Sequence, residues 1–237
     1  MSYKIIPLLR GFTEIELLFK EVTQRQGIIC GGYARYCASP NPKPELAGDV
    51  DIFPLVVEAF EGLKQFFLAE KFEIKHENEI SLTFKKHKDI KWLACPIVQI
   101  IKPTIEGKVV TLGNMSLILD NFDFTIVRAG IFSPKEVMVD EDFEKDETSK
   151  MLHFKNIHCP ISSTFRAIKY TRRGYWITPR EVLNLFLDWQ ERDDNYRLKI
   201  IELFKKSETF NPDAPEGQQE GLTEEEINEL EKLMRID

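Results

Sequence analysis

The chain has 237 residues, 43% hydrophobic and 30% charged, with 12 prolines spread thinly, the composition of a globular protein able to bury one large core or two small ones. Apolar runs are only strand-length, and the basic start "MSYKIIPLLRGF" lacks the apolar stretch and small-residue cleavage site of a secretory signal, so no membrane partner and a cytoplasmic (intracellular) location are expected. The formal charge of −7 argues against a nucleic-acid partner in sum but not in distribution: ten acidic and two basic residues lie from Ser207 on, whereas seven Lys/Arg (Lys150, Lys155, Arg166, Lys169, Arg172, Arg173, Arg180) and no acid lie between Thr148 and Arg180.

"FTEIELLFKEVTQRQG", Phe12 to Gly27, repeats apolar residues at helical spacing, with Thr13 and Glu16 placed as a capping box and Gly27 as a left-handed stop. Ile28 to Cys30 reads as a short buried strand, and "GGYARYCAS" as a turn into a helix that Pro40, Pro42 and Pro44 cannot continue. "DVDIFPLVV" is a second strand and "EAFEGLKQFFLAEKF" a second amphipathic helix. "ISLTFKK", "WLACPIVQIIK" and "FDFTIVRAGIF" are three further extended segments, and "FKKHKDIKW" is expected to be an exposed strand end and turn. "VDEDFEKDE", Val139 to Glu147, reads as an acidic surface loop, and one more short strand is expected between Met151 and Pro160. From Ile161 the pattern is helical: "STFRAIKYTRRGY", then Thr178 to Lys206, opened by a Thr178 cap, Pro179 at the first helical position and Glu181.

This order predicts an α/β (α+β) chain: a mixed sheet with flanking helices over residues 1–160, a helical part over 161–206, a linker over 207–222, and an acidic terminal helix over 223–237 capped by Thr223 and Glu226. Cys30, Cys37, Cys95 and Cys159 are irregularly spaced with no C-x-x-C pair, so they read as reduced core thiols with no disulfide-linked partner. Trp92, Trp176 and Trp189 read as packing residues.

Two aspartates in an otherwise apolar strand are costly to bury unless something positive lies between them. Residues i and i+2 of a strand face one side, so Asp49 and Asp51 present both carboxylates to one place while Val50 and Ile52 face the core. Such a pair bridges two magnesium ions about 4 Å apart, the geometry of phosphoryl or nucleotidyl transfer, with manganese as the alternative. Gly31 and Gly32 let backbone amides approach phosphate oxygens, so both halves of the motif serve one metal-bound nucleoside triphosphate (NTP). Asp123, between Phe122 and Phe124 in a predicted strand, is the candidate third carboxylate, with Asp120 the fallback. In "FRAIKYTRRGY", Arg166, Lys169 and Arg173 share a helix face suited to neutralising phosphate, and Tyr170 and Tyr175 are candidates for stacking on a base.

The stretch "IICGGYAR…GDVDIF" resembles the signature of the polymerase-β-type nucleotidyltransferase superfamily, and "PIVQIIKP" followed by "LDNFDFTIVRAGI" resembles its later strands, over roughly Ile28 to Ile131. "GGYAR" and "FDFTIVRAG" resemble head-domain motifs of tRNA nucleotidyltransferases and poly(A) polymerases, although Tyr36 stands where those enzymes carry an acid and Asn121-Phe122 where they carry an arginine pair. The resemblance implies transfer of a nucleoside monophosphate from an NTP with two magnesium ions and release of pyrophosphate. Asp49, Asp51 and Asp123 would be metal ligands, and Gly31, Gly32, Arg35, Arg166, Lys169 and Arg173 nucleotide-binding residues. An RNA 3′ end is the leading acceptor; a protein or small molecule, or a non-catalytic nucleotide-binding module, is the alternative.

Overall fold

Asp49–Pro54 forms a strand whose alternate side chains part company: Val50, Ile52 and Pro54 are buried, while Asp49, Asp51 and Phe53 on the other face are half-buried. A computed structural model describes residues 2–105, 108–109, 113–206, 222–223, 225–227 and 229–230, and divides the chain into two compact units, Met1–Ser149 and Lys150–Asp237. In chain order the first unit contains β1 (Tyr3–Pro7), α1 (Phe12–Gln24), β2 (Gly27–Cys30), α2 (Gly32–Ala38), β3 (Asp49–Pro54), α3 (Ala59–Ala69), β4 (Phe72–Glu77), β5 (Ser81–Lys86) and β6 (Ile97–Ile101). It continues with β7 (Thr104–Ile105), β8 (Lys108–Val109), α4 (Met115–Asp120), a 3-10 turn (Thr125–Val127), β9 (Ala129–Ser133), β10 (Glu136–Asp140) and α5 (Phe143–Ser149).

Eight of these strands make one mixed sheet in the order β1-β10-β9-β2-β3-β6-β5-β4, with β3 and β6 parallel and the other pairs antiparallel. One face carries Ile29, Val50, Ile52, Phe84, Val98, Ile100 and Val139 against Ile15, Leu18 and Val22 of α1, Tyr33 and Cys37 of α2, and Leu63 and Phe67 of α3. Each of these side chains stabilises the unit by roughly 1.5–3 kcal/mol on burial, which makes this face the main core. On the opposite face Cys30 packs with Ile118 and Leu119 of α4, flanked by Ile28, Phe53, Met115 and Phe122. The aspartates lie on that second face.

Several expectations are corrected. Helix α1 is not opened by the Thr13–Glu16 box: Gly11, at φ +77°, is its N-cap, with no side-chain capping bond. Its exit uses Gln26 at φ +55°, while Gly27 opens β2, where a Cβ would lie 3.0 Å from Val22 Cγ1 and 3.1 Å from Leu63 Cδ1. Strands β1, β4 and β10 were not foreseen, and in "WLACPIVQIIK" only Ile97–Ile101 is strand. The supposed acidic loop is the end of β10 followed by α5, with Asp140, Phe143, Asp146 and Glu147 buried. "FKKHKDIKW" is a strand end and turn, in which Lys86 Nζ donates to Ala94 O at 3.2 Å.

The second unit contains β11 (Met151–Leu152), α6 (Pro160–Arg172), β12 (Trp176–Ile177), α7 (Pro179–Glu191) and α8 (Asp194–Lys206), with β11 and β12 paired in parallel. The run read as one helix from Thr178 to Lys206 breaks at Arg192, whose ψ of 147° is extended. Thr178 Oγ1 accepts from Glu181 N as expected, and Thr223 and Glu226 exchange the two bonds of a capping box. Most of the expected linker and terminal helix lies outside the described residues. Tyr170 and Tyr175 are buried edge-to-face on each other, so they are packing residues and not stacking platforms. Trp176, by contrast, is 71% exposed. The four cysteines are free, buried thiols. No described helix is long and apolar enough to cross a membrane.

Candidate active site

Strand register brings the two sequence motifs together. Cys30, the last residue of β2, pairs with Asp51 of β3, so the chain turns at Gly31 beside the aspartate strand. A Cβ at Gly31 would lie 3.0 Å from Asp51 Oδ2 and 3.2 Å from Phe122 Cε1, and Gly31 holds φ +82°, where side chains are strained. Gly32 differs: its nearest neighbour is Ala47 Cβ at 3.7 Å, and it is the first residue of α2. Gly31→Ala is therefore expected to destabilise the protein by about 1–3 kcal/mol, whereas Gly32→Ala shifts it by less than about 0.5 kcal/mol; parallel thermal melts check this.

Asp49 and Asp51 lie one pleat repeat apart, about 6.8 Å along the strand, on the same half-buried face. Their charge is felt by neighbouring thiols. Burial, then the Asp51 carboxylate, pushes the Cys30 thiol well above its ordinary range, and burial, then Asp49, pushes Cys95 up to about 12. These two carboxylates thus form an anionic focus beside the Gly31 turn, a donor set that fits a hard divalent cation.

The third position is different from the expectation. Asp123 is buried but not in a strand: it follows α4 and precedes the 3-10 turn. Among the described residues no three His, Cys, Asp or Glu side chains form a group that could hold a metal ion. The fallback, Asp120, accepts a 2.6 Å bond from Tyr3 Oη and lies 3.9 Å from the buried Arg128, which also donates to the carbonyls of Phe122 and Asp120. Arg128 in this way fixes the loop that sets Phe122 against Gly31 and, edge-on, against Phe53.

The neighbour that the sequence reading missed is Gln99. On the parallel strand β6 it is in register with Asp51, on the same face, and its Nε2 donates to Ser81 Oγ at 2.9 Å. Its signal in the sequence was that of the aspartates, a polar residue inside the apolar run "IVQII". Arg35, expected as a nucleotide ligand, is turned to internal carboxylates. It is 1% exposed, and its guanidinium forks onto Glu147 at 3.1 and 3.0 Å with Glu45 at 3.4 Å. In the second unit Arg166 is exposed and Lys169 half-buried on α6, while Arg173, just past its end, lies over the Tyr170 ring at 5.6 Å.

No family model matches the sequence, and neither does any curated protein. Among solved structures the chain is similar to a CCA-adding enzyme in complex with CTP, with a TM-score of 0.51 and 18% identity over 88% of this chain and 52% of that one. It is similar to a CCA-adding enzyme in complex with ATP, with a TM-score of 0.52 and 20% identity over 90% and 53%. It is also similar to the Thermotoga maritima CCA-adding enzyme complexed with tRNA, with a TM-score of 0.50 and 17% identity over 90% and 52%. The chain spans about half the length of these structures. At such identities the likeness is one of fold: a mixed α/β chain that shares its architecture with part of these CCA-adding enzyme structures.

Proposed function

We propose that the chain is a metal-dependent nucleotidyltransferase that moves a nucleoside monophosphate from an NTP to the 3′ hydroxyl of an RNA. The observation that carries this reading is the contact between the Asp49–Asp51 face and the Gly31 turn, which sets two carboxylates beside the glycine turn into α2. Asp49 and Asp51 would hold magnesium, or manganese in its place, and the bound ion supplies charge neutralisation at the reacting phosphate and a more acidic acceptor hydroxyl. Gly31 keeps the space next to Asp51 free of a side chain, and Phe122 walls it on one side. In the reaction the acceptor oxygen bonds to the α-phosphorus, the bond from that phosphorus to the bridging oxygen breaks, pyrophosphate leaves, and the hydroxyl proton passes to solvent. The reading rests on Asp49 and Asp51, with Asp123 the proposed third carboxylate.

RNA is favoured as acceptor by the seven Lys/Arg without an acid between Thr148 and Arg180, among them Arg166, Lys169 and Arg173, a basic run suited to phosphate contacts. It is also favoured by the likeness in fold to enzymes seen with CTP, ATP and tRNA. Incubation of the protein with each α-labelled NTP, magnesium and total cellular RNA, with RNA and protein resolved on one gel, tests both parts. Label in RNA is expected; label in protein instead would replace the acceptor, and no transfer to RNA, protein or small molecules would overturn the activity.

A further inference from the structure

The outward face of α7 has the wrong chemistry for a solvated helix. Its inward residues Glu181 and Leu185 are buried, while Val182, Leu183, Phe186 and Leu187 are 36, 55, 62 and 49% exposed. At 100° per residue Leu183, Phe186 and Leu187 lie side by side, so the exposed apolar groups form one stripe and not scattered points. A contiguous exposed apolar stripe of this kind marks a contact surface.

The ends of the stripe say what covers it. Arg180, one turn before Leu183, and Glu191, one turn after Leu187, fall on the same flank of the face, and neither has an ion-pair partner among the described residues. When two identical helices pack antiparallel about a two-fold axis, equal flanks meet, so each Arg180 comes opposite the Glu191 of the second copy while the apolar stripes close on each other. A parallel pair brings opposite flanks together and leaves both charges unmatched. We propose that the outward face of α7 is a self-association surface, pairing antiparallel with a second copy of this chain. A helix of 13 residues is about 20 Å long, so the contact is smaller than a standard interface and dimerisation is expected at micromolar concentrations.

Sedimentation velocity of the full chain from about 1 to 200 µM tests this. Wild type is expected to pass from monomer to dimer over that range. Phe186→Asp, or Leu183→Gln if the first variant folds poorly, should stay monomeric with an unchanged thermal melt. Arg180→Glu and Glu191→Arg should each weaken dimerisation about tenfold at low salt, and the double reversal should restore it to within about threefold. A wild type monomeric throughout overturns the proposal and assigns the face to a different protein. A dimer indifferent to Phe186→Asp and Leu183→Gln, or one not restored by the double reversal, overturns it as well.

Discussion

Asp51→Asn is expected to lower nucleotidyl transfer by at least roughly a thousandfold, a loss of about 4 kcal/mol of transition-state stabilisation, while leaving the fold intact. The physical ground is that Asp51 is half-buried on the face away from the main core, next to Cys30 and within contact of the Gly31 turn. Asparagine keeps its shape and removes its charge, so packing survives and cation affinity does not. Magnesium or manganese that binds the native site raises the melting temperature of wild type, by about 2.7 kcal/mol of stability at a hundredfold excess over its dissociation constant, and Asp51→Asn should lose most of that shift. This second readout does not depend on turnover. A variant that keeps both substantial transfer and the metal-induced shift would remove Asp51 from the site; one that loses the shift but keeps transfer would show that the ion is held there without serving the reaction. The same pair of measurements applied to Asp123→Asn decides whether it joins the pair: a third ligand loses the metal shift, and a residue outside the ligand group leaves it unchanged.

What could be read from the sequence and what could not divide along the range of the interactions. The alternation of Val50 and Ile52 with Asp49 and Asp51, and the need for a glycine at position 31, are local properties of a strand and a turn, and both hold in the structure. Strand β4 was missed because four of the six residues in "FEIKHE" are exposed: it is an edge strand held by its ladder with β5, so it lacks the apolar alternation that betrays a half-buried strand. Strand β10 and helix α5 were hidden by their charges. Asp140, Asp146 and Glu147 look solvated in sequence, but they are buried against partners far away in the chain, Asp146 accepting from Thr125 Oγ1 at 2.6 Å. Asp123 was misplaced for the complementary reason: its apolar neighbours Phe122 and Phe124 imitate strand alternation, while the backbone that follows winds into a 3-10 turn. For β4, β10 and α5 the deciding contact is non-local, and periodicity carries no information about it.

Glu147→Gln is expected to destabilise the first unit by about 3–5 kcal/mol, lowering the melting temperature by roughly 10 °C. Glu147 is fully buried and accepts from Arg35 Nε and Nη2, Ser39 Oγ and Asn41 Nδ2, while the Asn41 amide also reaches its backbone carbonyl at 3.0 Å. An amide of the same shape removes the carboxylate charge onto which the buried guanidinium forks, Glu45 standing farther off at 3.4 Å, and sets its own NH2 against donors. The contacts have a location that matters: Ser39 and Asn41 begin the proline-broken segment that runs to Asp49, and Arg10 holds the same segment from the other side through the carbonyls of Tyr36, Ser39 and Asn41. The network therefore positions the entry to the aspartate strand as well as stabilising the core. Arg35→Met with Glu147→Leu removes both charges together and should be less destabilised than Glu147→Gln alone, since no uncompensated buried ion remains, although the Ser39 and Asn41 donors still lose their acceptor. If Arg35 instead served the nucleotide, Arg35→Met would weaken NTP binding more than it lowers the melting temperature, and the double variant would recover no stability. Chemical denaturation of the three variants, with NTP binding measured on those that remain folded, decides between an internal clamp and a ligand contact.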